Sequence, residues 1–161
     1  MYFELHARSA FSFLEGASLP EDLVETCARL DLPGLALLDR DGVYGAPRFH
    51  RAAKKAGLRA HVGAEITAKE LPQSHRDTEK HKKHNSPLPK SSVPLCLCGQ
   101  PFRLPLLVES RLGYQNLCRL ITRMKLRAEK GAGAATFDDL TAHTAGLICL
   151  TGGDDGPLAR A

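Results

Sequence analysis

The sequence predicts an α/β fold in which parallel strands alternate with helices. Residues 35–39, LALLD, are an unbroken apolar run that closes on an acidic residue, as expected for a strand buried on both faces. Segments with apolar residues at helical spacing precede and follow it. The alternation continues through residue 68 and resumes at residue 104, which favours a mainly parallel sheet.

The first part of the chain contains the first helix between two predicted strands. Residues 2–6 form the first strand and residues 35–39 the second. Ser18 and Glu21 have the spacing of a capping box, and Pro20 suits the first helical position, so a helix is predicted to begin there. Its inward face is predicted to comprise Leu23, Val24, Cys27 and Ala28.

The second helix is predicted over residues 46–56, ending at Gly57, because glycine readily adopts the left-handed conformation that ends many helices. A third strand is predicted over residues 59–67. The inward side chains of the second helix are predicted to be Phe49, Ala53 and Ala56.

The pattern resumes after residue 103. A strand is predicted over residues 104–110, a helix over 112–127 and a last strand over 146–150. Thr136 and Asp139 are spaced to cap a short helix before that last strand. The inward face of the long helix is predicted to comprise Leu117, Leu120, Ile121 and Met124.

Residues 69–101 lack a periodic apolar face and are rich in Pro, Ser, Lys and His, which predicts a flexible basic loop insertion. Residues 69–104 carry 7 basic and 3 acidic side chains, which accounts for the whole net charge of +4. Binding of DNA through this loop is therefore one functional hypothesis. A zinc site is not predicted, because the candidate ligands lack the usual spacing on a folded scaffold. These ligands are His75, His81, His84, Cys96 and Cys98.

The composition indicates one domain, or part of a larger one, because the chain has 161 residues and 43% of them are hydrophobic. No run approaches the ~20 apolar residues of a membrane span, and no secretory signal is visible, so no membrane partner is expected. The five cysteines are odd in number and suit a reducing compartment, so a cytoplasmic location is expected.

Polar residues follow the predicted strands where chemistry gathers in parallel α/β folds, at the carboxyl ends. His6 ends the first strand, residues 39–41 follow the second, Glu65 lies late in the third and residues 151–155 follow the last. Alternate strand residues point to one side, so a metal at the first strand would call for His-x-His. Position 8 holds arginine instead, whose guanidinium has donors only and cannot coordinate a cation.

Five segments together resemble the PHP (polymerase and histidinol phosphatase) domain at the N-terminus of bacterial C-family DNA polymerases, the DNA polymerase III alpha type. They are FELHARSAFSFLEGAS, LALLDRDGVYGAPRFHRAAKKAG, HVGAEI, LLVESRLGYQNLCRLITRMKLRAEKGAGA and GLICLTGG. The fourth is similar, more narrowly, to the error-prone, translesion branch. The resemblance omits only residues 69–102. It implies that residues 1–161 are a partial PHP domain, an incomplete, distorted β/α (TIM-like) barrel whose family carries a metal cluster at the strand ends.

The resemblance also implies a degenerate metal site. His6, Glu15 and Glu65 match family ligands, whereas four other ligand positions are replaced, by Arg8, Arg40, Arg103 and Gly153. No cofactor is predicted, and a residual site would hold zinc or manganese. Because arginine can balance carboxylates without a metal, we expect the three arginines to pair with Glu15, Asp39 and Glu65.

Two further groups of residues each allow two interpretations. Arg119, Arg123 and Arg127 recur every four residues and form either a surface for DNA or a partner, or the solvated side of an amphipathic helix. Asp154 and Asp155 are either carboxylates for metal-assisted hydrolysis or residues of a Gly-Asp turn.

The resemblance implies a structural, partner-docking PHP region of an error-prone DNA polymerase active in replication and translesion repair synthesis. The polymerase would be a nucleotidyltransferase, but these residues include no paired catalytic aspartates of a palm domain, so this chain alone is not expected to be an active enzyme. The expected partners are the rest of the polymerase chain or other replication proteins, with DNA reached only through the full-length parent. The alternative is a metal-dependent PHP phosphoesterase acting on a phosphate ester or pyrophosphate.

Overall fold

A computed structural model of the protein describes residues 2–69, 101–154 and 156, and in it five strands form one sheet in sequence order. The strands are β1 (Glu4–Ala7), β2 (Gly34–Arg40), β3 (Arg59–Ala68), β4 (Phe102–Val108) and β5 (Leu147–Cys149). The helices are α1 (Pro20–Arg29), α2 (Ala46–Ala56), α3 (Arg111–Leu126) and α4 (Phe137–His143). The α/β class is therefore confirmed.

The direction of β4 differs from the prediction. β1, β2 and β3 pair in parallel, but β4 pairs antiparallel with both β3 and β5. Parallel orientation therefore holds for every described strand except β4. A short apolar run has the same period in either direction, and only its pairing fixes its orientation, so the sequence pattern did not reveal the reversal.

The described helices pack against one face of the sheet. On that face, α1 and α2 bury Val24, Cys27 and Phe49 against Leu35 and Leu37 of β2. Further along the same face, α3 packs on β3 and β4 through a larger set: Leu117, Leu120, Ile121 and Met124 against Ala64, Ile66, Leu104 and Leu106. Because side chains alternate along a strand, the residues between these point to the opposite, inner face of the sheet.

Local sequence signals predicted the bounds of several helices and strands to within one residue. α2 spans the predicted residues and ends at Gly57, which has φ +71°. The predicted inward face of α3 is buried as expected. Ala28 of α1 is exposed, however, so its prediction as an inward residue was wrong. Ala56 of α2 is also exposed, and its prediction as a core residue was wrong. It lies in the last turn of α2, beyond the cluster in which Phe49 and Ala53 are buried.

The start of α1 lies one residue later than the predicted capping box requires. Pro20 is the first helical residue, which makes Leu19 the cap, and the backbone N–H of Leu19 donates to the Asp22 carboxylate at 3.2 Å. The prediction of a Ser18–Glu21 box was therefore wrong. Since leucine has no side-chain acceptor, only half of the reciprocal capping arrangement is possible here.

The predicted loop insertion lies almost wholly outside the described residues, as do its candidate zinc ligands and any DNA contact it makes. Its first residue, Lys69, directly follows β3, and its N–H donates to the carbonyl of Ala135 at 2.9 Å. None of the helices in the described ranges is long and apolar enough to cross a membrane.

Candidate functional site

Six ionisable side chains meet on the inner face of the sheet, where β1, β2 and β3 end and β4 begins. We call them the arginine cluster: His6, Arg8, Glu15, Arg40, Glu65 and Arg103. The reversal of β4 explains why Arg103 belongs to it. Arg103 lies near the beginning of β4, opposite Thr67 at the end of β3, so it comes to the edge where the other strands end.

Glu65 is the buried centre of the cluster, with a side chain only 2% exposed. Its Oε2 lies 2.7 Å from His6 Nε2 and accepts hydrogen bonds from Arg8 Nε at 3.0 Å and Nη2 at 2.5 Å. Its Oε1 accepts from Arg103 Nη1 at 3.1 Å. Burial raises the pKa of Glu65, but the hydrogen bonds from His6, Arg8 and Arg103 outweigh it and lower the pKa to about 2. Glu65 is therefore a stable carboxylate.

Glu15 is the second carboxylate of the cluster and forms ion pairs with all three arginines. Arg103 donates to it through two nitrogens, at 2.7 and 2.8 Å, which is the bidentate geometry that suits a guanidinium and a carboxylate. Arg40 Nη1 donates at 2.6 Å, and Arg8 Nη1 lies 3.6 Å away. The hydrogen bonds from Arg103 hold the pKa of Glu15 below its usual value, and the charges of Arg40 and Arg8 act in the same direction.

The expected pairing of arginines with Glu15 and Glu65 is therefore present, but the expected pairing with Asp39 is wrong. Asp39 is 1% exposed, and its carboxylate accepts from the Ser9 backbone N–H at 2.8 Å and from the Ser9 and Ser12 hydroxyls. Asp39 and Arg40 are neighbours on one strand and point to opposite faces of the sheet. Asp39 thus lies on the helix-bearing face, away from the arginine cluster.

Ser9 and Ser12 bind the end of β2, and their role was not predicted from the sequence. The Ser12 hydroxyl donates to Asp39 and also accepts from the Arg40 backbone N–H at 3.0 Å. Ser9 and Ser12 are both fully buried, whereas serine is usually exposed. The signal that pointed to them was weak: two serines in a phenylalanine-rich loop directly after a strand.

The arginine cluster does not fit a metal ion. Each of the four oxygens of Glu15 and Glu65 already accepts a hydrogen bond from a guanidinium. A metal would have to displace these bonds and sit beside three fixed positive charges. Among the described residues, no group of three His, Cys, Asp or Glu side chains is arranged to hold an ion. His6, Glu15 and Glu65 are brought together, but Glu15 and Glu65 accept from arginines and His6 pairs with Glu65.

A cavity of about 310 Å³ opens beside the cluster, between His6, Arg8, Glu65, Arg103 and the turn after β5. That turn contributes Gly152, Gly153, Asp154 and Gly156 to the cavity wall. Gly153 has no side chain to ligate an ion, and the space beside its Cα is open. Asp154 is exposed in the turn, and Asp155 lies outside the described residues, so both interpretations of this pair stay predictions.

The arginine row of α3 has a structural partner. Arg127 donates to the Asp139 carboxylate at 2.5 Å, and Arg123 Nε lies 3.9 Å from the same oxygen. Asp139 is 3% exposed and also forms the predicted capping box with Thr136. Burial raises the pKa of Asp139, but the hydrogen bonds from Arg127 and Thr136 lower it to about 2. Two of the three arginines therefore join α3 to α4; Arg119 is exposed.

Acid is expected to destabilise the fold through these carboxylates. Glu65 has an ordinary pKa of 4.5 and a folded pKa of about 2, so its contribution is complete above about pH 4.5 and is lost as the pH falls towards 2. Asp139 acts in the same window, from 3.8 to about 2, and the lowered pKa of Glu15 has the same sign. Urea unfolding at a series of pH values measures this slope. A Glu65→Gln variant should show a shallower slope below pH 4.5; an unchanged slope would contradict the assignment.

The PHP domain family model matches residues 4–161. An error-prone DNA polymerase of Mycolicibacterium paratuberculosis is 61% identical over 99% of this chain. Another, from Anaeromyxobacter dehalogenans, is 40% identical over 96% of it. The chain spans only 13% and 12%, respectively, of the lengths of these relatives.

Solved structures show weaker likeness. A metal-dependent phosphoesterase candidate from Bifidobacterium adolescentis matches 89% of this chain and 43% of its own, with a TM-score of 0.48 and 20% identity. An amidohydrolase from Chromobacterium violaceum, with bound sulfate and no metal, matches 76% of this chain and 32% of its own, with a TM-score of 0.49 and 18% identity.

Proposed function

This chain belongs to the PHP domain family, and from that membership we propose that it is a structural module of an error-prone DNA polymerase in which ion pairs have replaced the family's metal cluster. It is homologous to the N-terminal region of error-prone DNA polymerases. The parent protein would add nucleotides during replication and translesion repair synthesis in the cytoplasm. The module would support the polymerase fold and contact DNA only through the rest of that protein.

One observation carries the proposal: all four oxygens of Glu15 and Glu65 are held by guanidinium groups. Metal-dependent ester hydrolysis needs an ion with an open coordination position that activates water. A guanidinium has no such position and does not deprotonate in proteins, so it supplies neither a Lewis acid nor a base. It does neutralise buried carboxylates, and this supports a role in holding the strand ends together.

Metal analysis tests the loss of metal chemistry. Protein purified without chelators, then equilibrated with zinc or manganese and desalted, is expected to retain neither ion in stoichiometric amount. Hydrolysis of a generic phosphate ester is expected to stay at the background rate when manganese is added. Tightly bound zinc or manganese at one or more ions per chain, with an esterase activity that His6→Ala abolishes, would favour the phosphoesterase instead.

A chimera tests the link to the polymerase. This chain would replace the matching region of the Mycolicibacterium paratuberculosis relative, and primer extension by the purified chimera would be measured. We expect extension close to that of the parent enzyme, because a metal-free module needs only to complete the fold. A soluble chimera without extension activity would contradict the proposed supporting role.

A further inference from the structure

The loop between β1 and α1, residues 8–19, turns two large hydrophobic side chains into solvent. Phe13 is 80% exposed and its neighbour Leu14 is 89% exposed. Single exposed apolar residues are common on soluble proteins, but two adjacent ones at this exposure leave a small apolar projection. The other two large apolar residues of the loop are less exposed: Leu19 is 42% exposed, and Phe11 is 37% exposed, with its ring centre 5.8 Å from the central carbon of the Arg48 guanidinium.

The same loop is firmly fixed on its other side. The Ala10 N–H donates to the Ser18 carbonyl at 2.8 Å and closes the loop, while the N–H groups of Ser12 and Gly16 donate to carbonyls within it. A Cβ on Gly16 would lie 2.1 Å from the Ser9 carbonyl oxygen, so the chain is tightly packed there. Ser9, Ser12 and Glu15 all point inward to Asp39 and the arginines. The polar side chains of the loop are thus used as anchors, and the outer surface is left apolar.

The backbone at Leu14 points to a use for its side chain. Leu14 has φ +64°, a left-handed conformation that is uncommon for residues other than Gly, Asn and Asp. A glycine or asparagine would adopt this conformation with less strain. Either residue would also expose less apolar surface to water. Strained positions that persist cluster at binding and functional sites. Because Leu14 is both strained and almost wholly exposed, its side chain does not stabilise the fold described here.

We propose that Phe13 and Leu14 form a docking projection that inserts into an apolar pocket on the polymerase polypeptide adjoining this domain. The inference rests on the proposed function. The polymerase polypeptide is the expected occupant because the chain covers only 12–13% of its polymerase relatives, so most of their polypeptide lies outside the matched region. A rigid loop pays little conformational entropy on docking, and buried aromatic residues are the usual anchors of protein interfaces.

Hydroxyl-radical footprinting of the isolated chain and of the chimera described above tests this proposal. In the chimera, labelling of Phe13 and Leu14 is expected to fall by about tenfold, as they pass from largely exposed to buried in an interface. Phe137 and Leu126, which are 74% and 83% exposed, are matched internal controls and should label equally in both proteins. Undiminished labelling of Phe13 and Leu14 in the chimera would overturn the proposal.

Two other outcomes identify different occupants and would also overturn it. Protection in the isolated chain that grows with protein concentration would assign the projection to a second copy. Protection in the isolated chain at every concentration would mean that residues of the same chain cover it. Primer extension by the chimera is read separately, so a failure of docking is distinguishable from a failure of the proposed polymerase role.

Discussion

Replacing Glu65 with glutamine is expected to lower the free energy of unfolding by about 3 kcal/mol, because removing one partner of a buried ion pair leaves the others uncompensated. Glutamine keeps the shape of the side chain but removes the charge that Arg8, Arg103 and His6 share. This loss of stability is expected near the lower end of the range observed when a buried ion pair is broken. The reason is that the Arg8 and Arg103 side chains are 33% and 21% exposed and retain Glu15 as a partner. Urea unfolding followed by circular dichroism measures the change.

A matched control is the pair of Glu21 and Arg48, which joins α1 to α2 at the surface. Its Nε–Oε1 distance is 2.7 Å, but its side chains are 43% and 47% exposed. Exposed pairs are screened by water and salt and contribute little. Glu21→Gln should therefore change the unfolding midpoint far less than Glu65→Gln does. Equal effects of the two substitutions would show that Glu65 is not the centre of the cluster.

Replacing Asp39 with alanine is expected to cost about 3 kcal/mol or more, because it leaves buried donors without partners. The Ser9 N–H, the Ser9 hydroxyl and the Ser12 hydroxyl all donate to this carboxylate. The β1–α1 loop should also loosen, because Ser9 and Ser12 lie within it. Urea unfolding measures the loss of stability, and hydrogen exchange of the amides of residues 9–18 measures the loosening.

The control for Asp39 is Glu25→Ala, an exposed position on α1 expected to change stability by no more than about 0.5 kcal/mol. Faster exchange in the loop without a comparable rise elsewhere would agree with the anchoring role. If Asp39→Ala left both stability and exchange near those of the unchanged chain, the serine–aspartate contacts would contribute little in solution.

Local sequence signals were enough for the elements that local chemistry controls. The bounds of α2 follow from its apolar spacing and from the glycine that ends it, and residues 35–39 are buried as the unbroken apolar run predicted. The inward face of α3 follows from helical periodicity in the same way. These features depend on residues close in sequence, so pattern and structure agree.

The remaining features depend on pairing between distant segments. Nothing in the apolar pattern of β4 distinguishes its direction, and that direction decides whether Arg103 lies at the site or at the opposite edge. The position of Asp39 could, by contrast, be predicted from the sequence, because alternation along a strand places Asp39 and Arg40 on opposite faces of the sheet. The resemblance identified the three arginines, but their sharing of Glu15 depends on how distant segments of the chain pack together.

The sharing of carboxylates in the arginine cluster also limits which substitutions such a domain can tolerate during evolution. Each arginine is tied to a carboxylate that another arginine also holds. Exchanging one arginine for histidine would remove a charge that the network needs, while the other two guanidiniums would still occupy oxygens of Glu15 and Glu65. We therefore expect sequences that carry only part of this arginine set to be less stable than the present chain. We also expect that no single substitution of these arginines converts the cluster into a metal site, because the remaining ion pairs oppose binding of a cation.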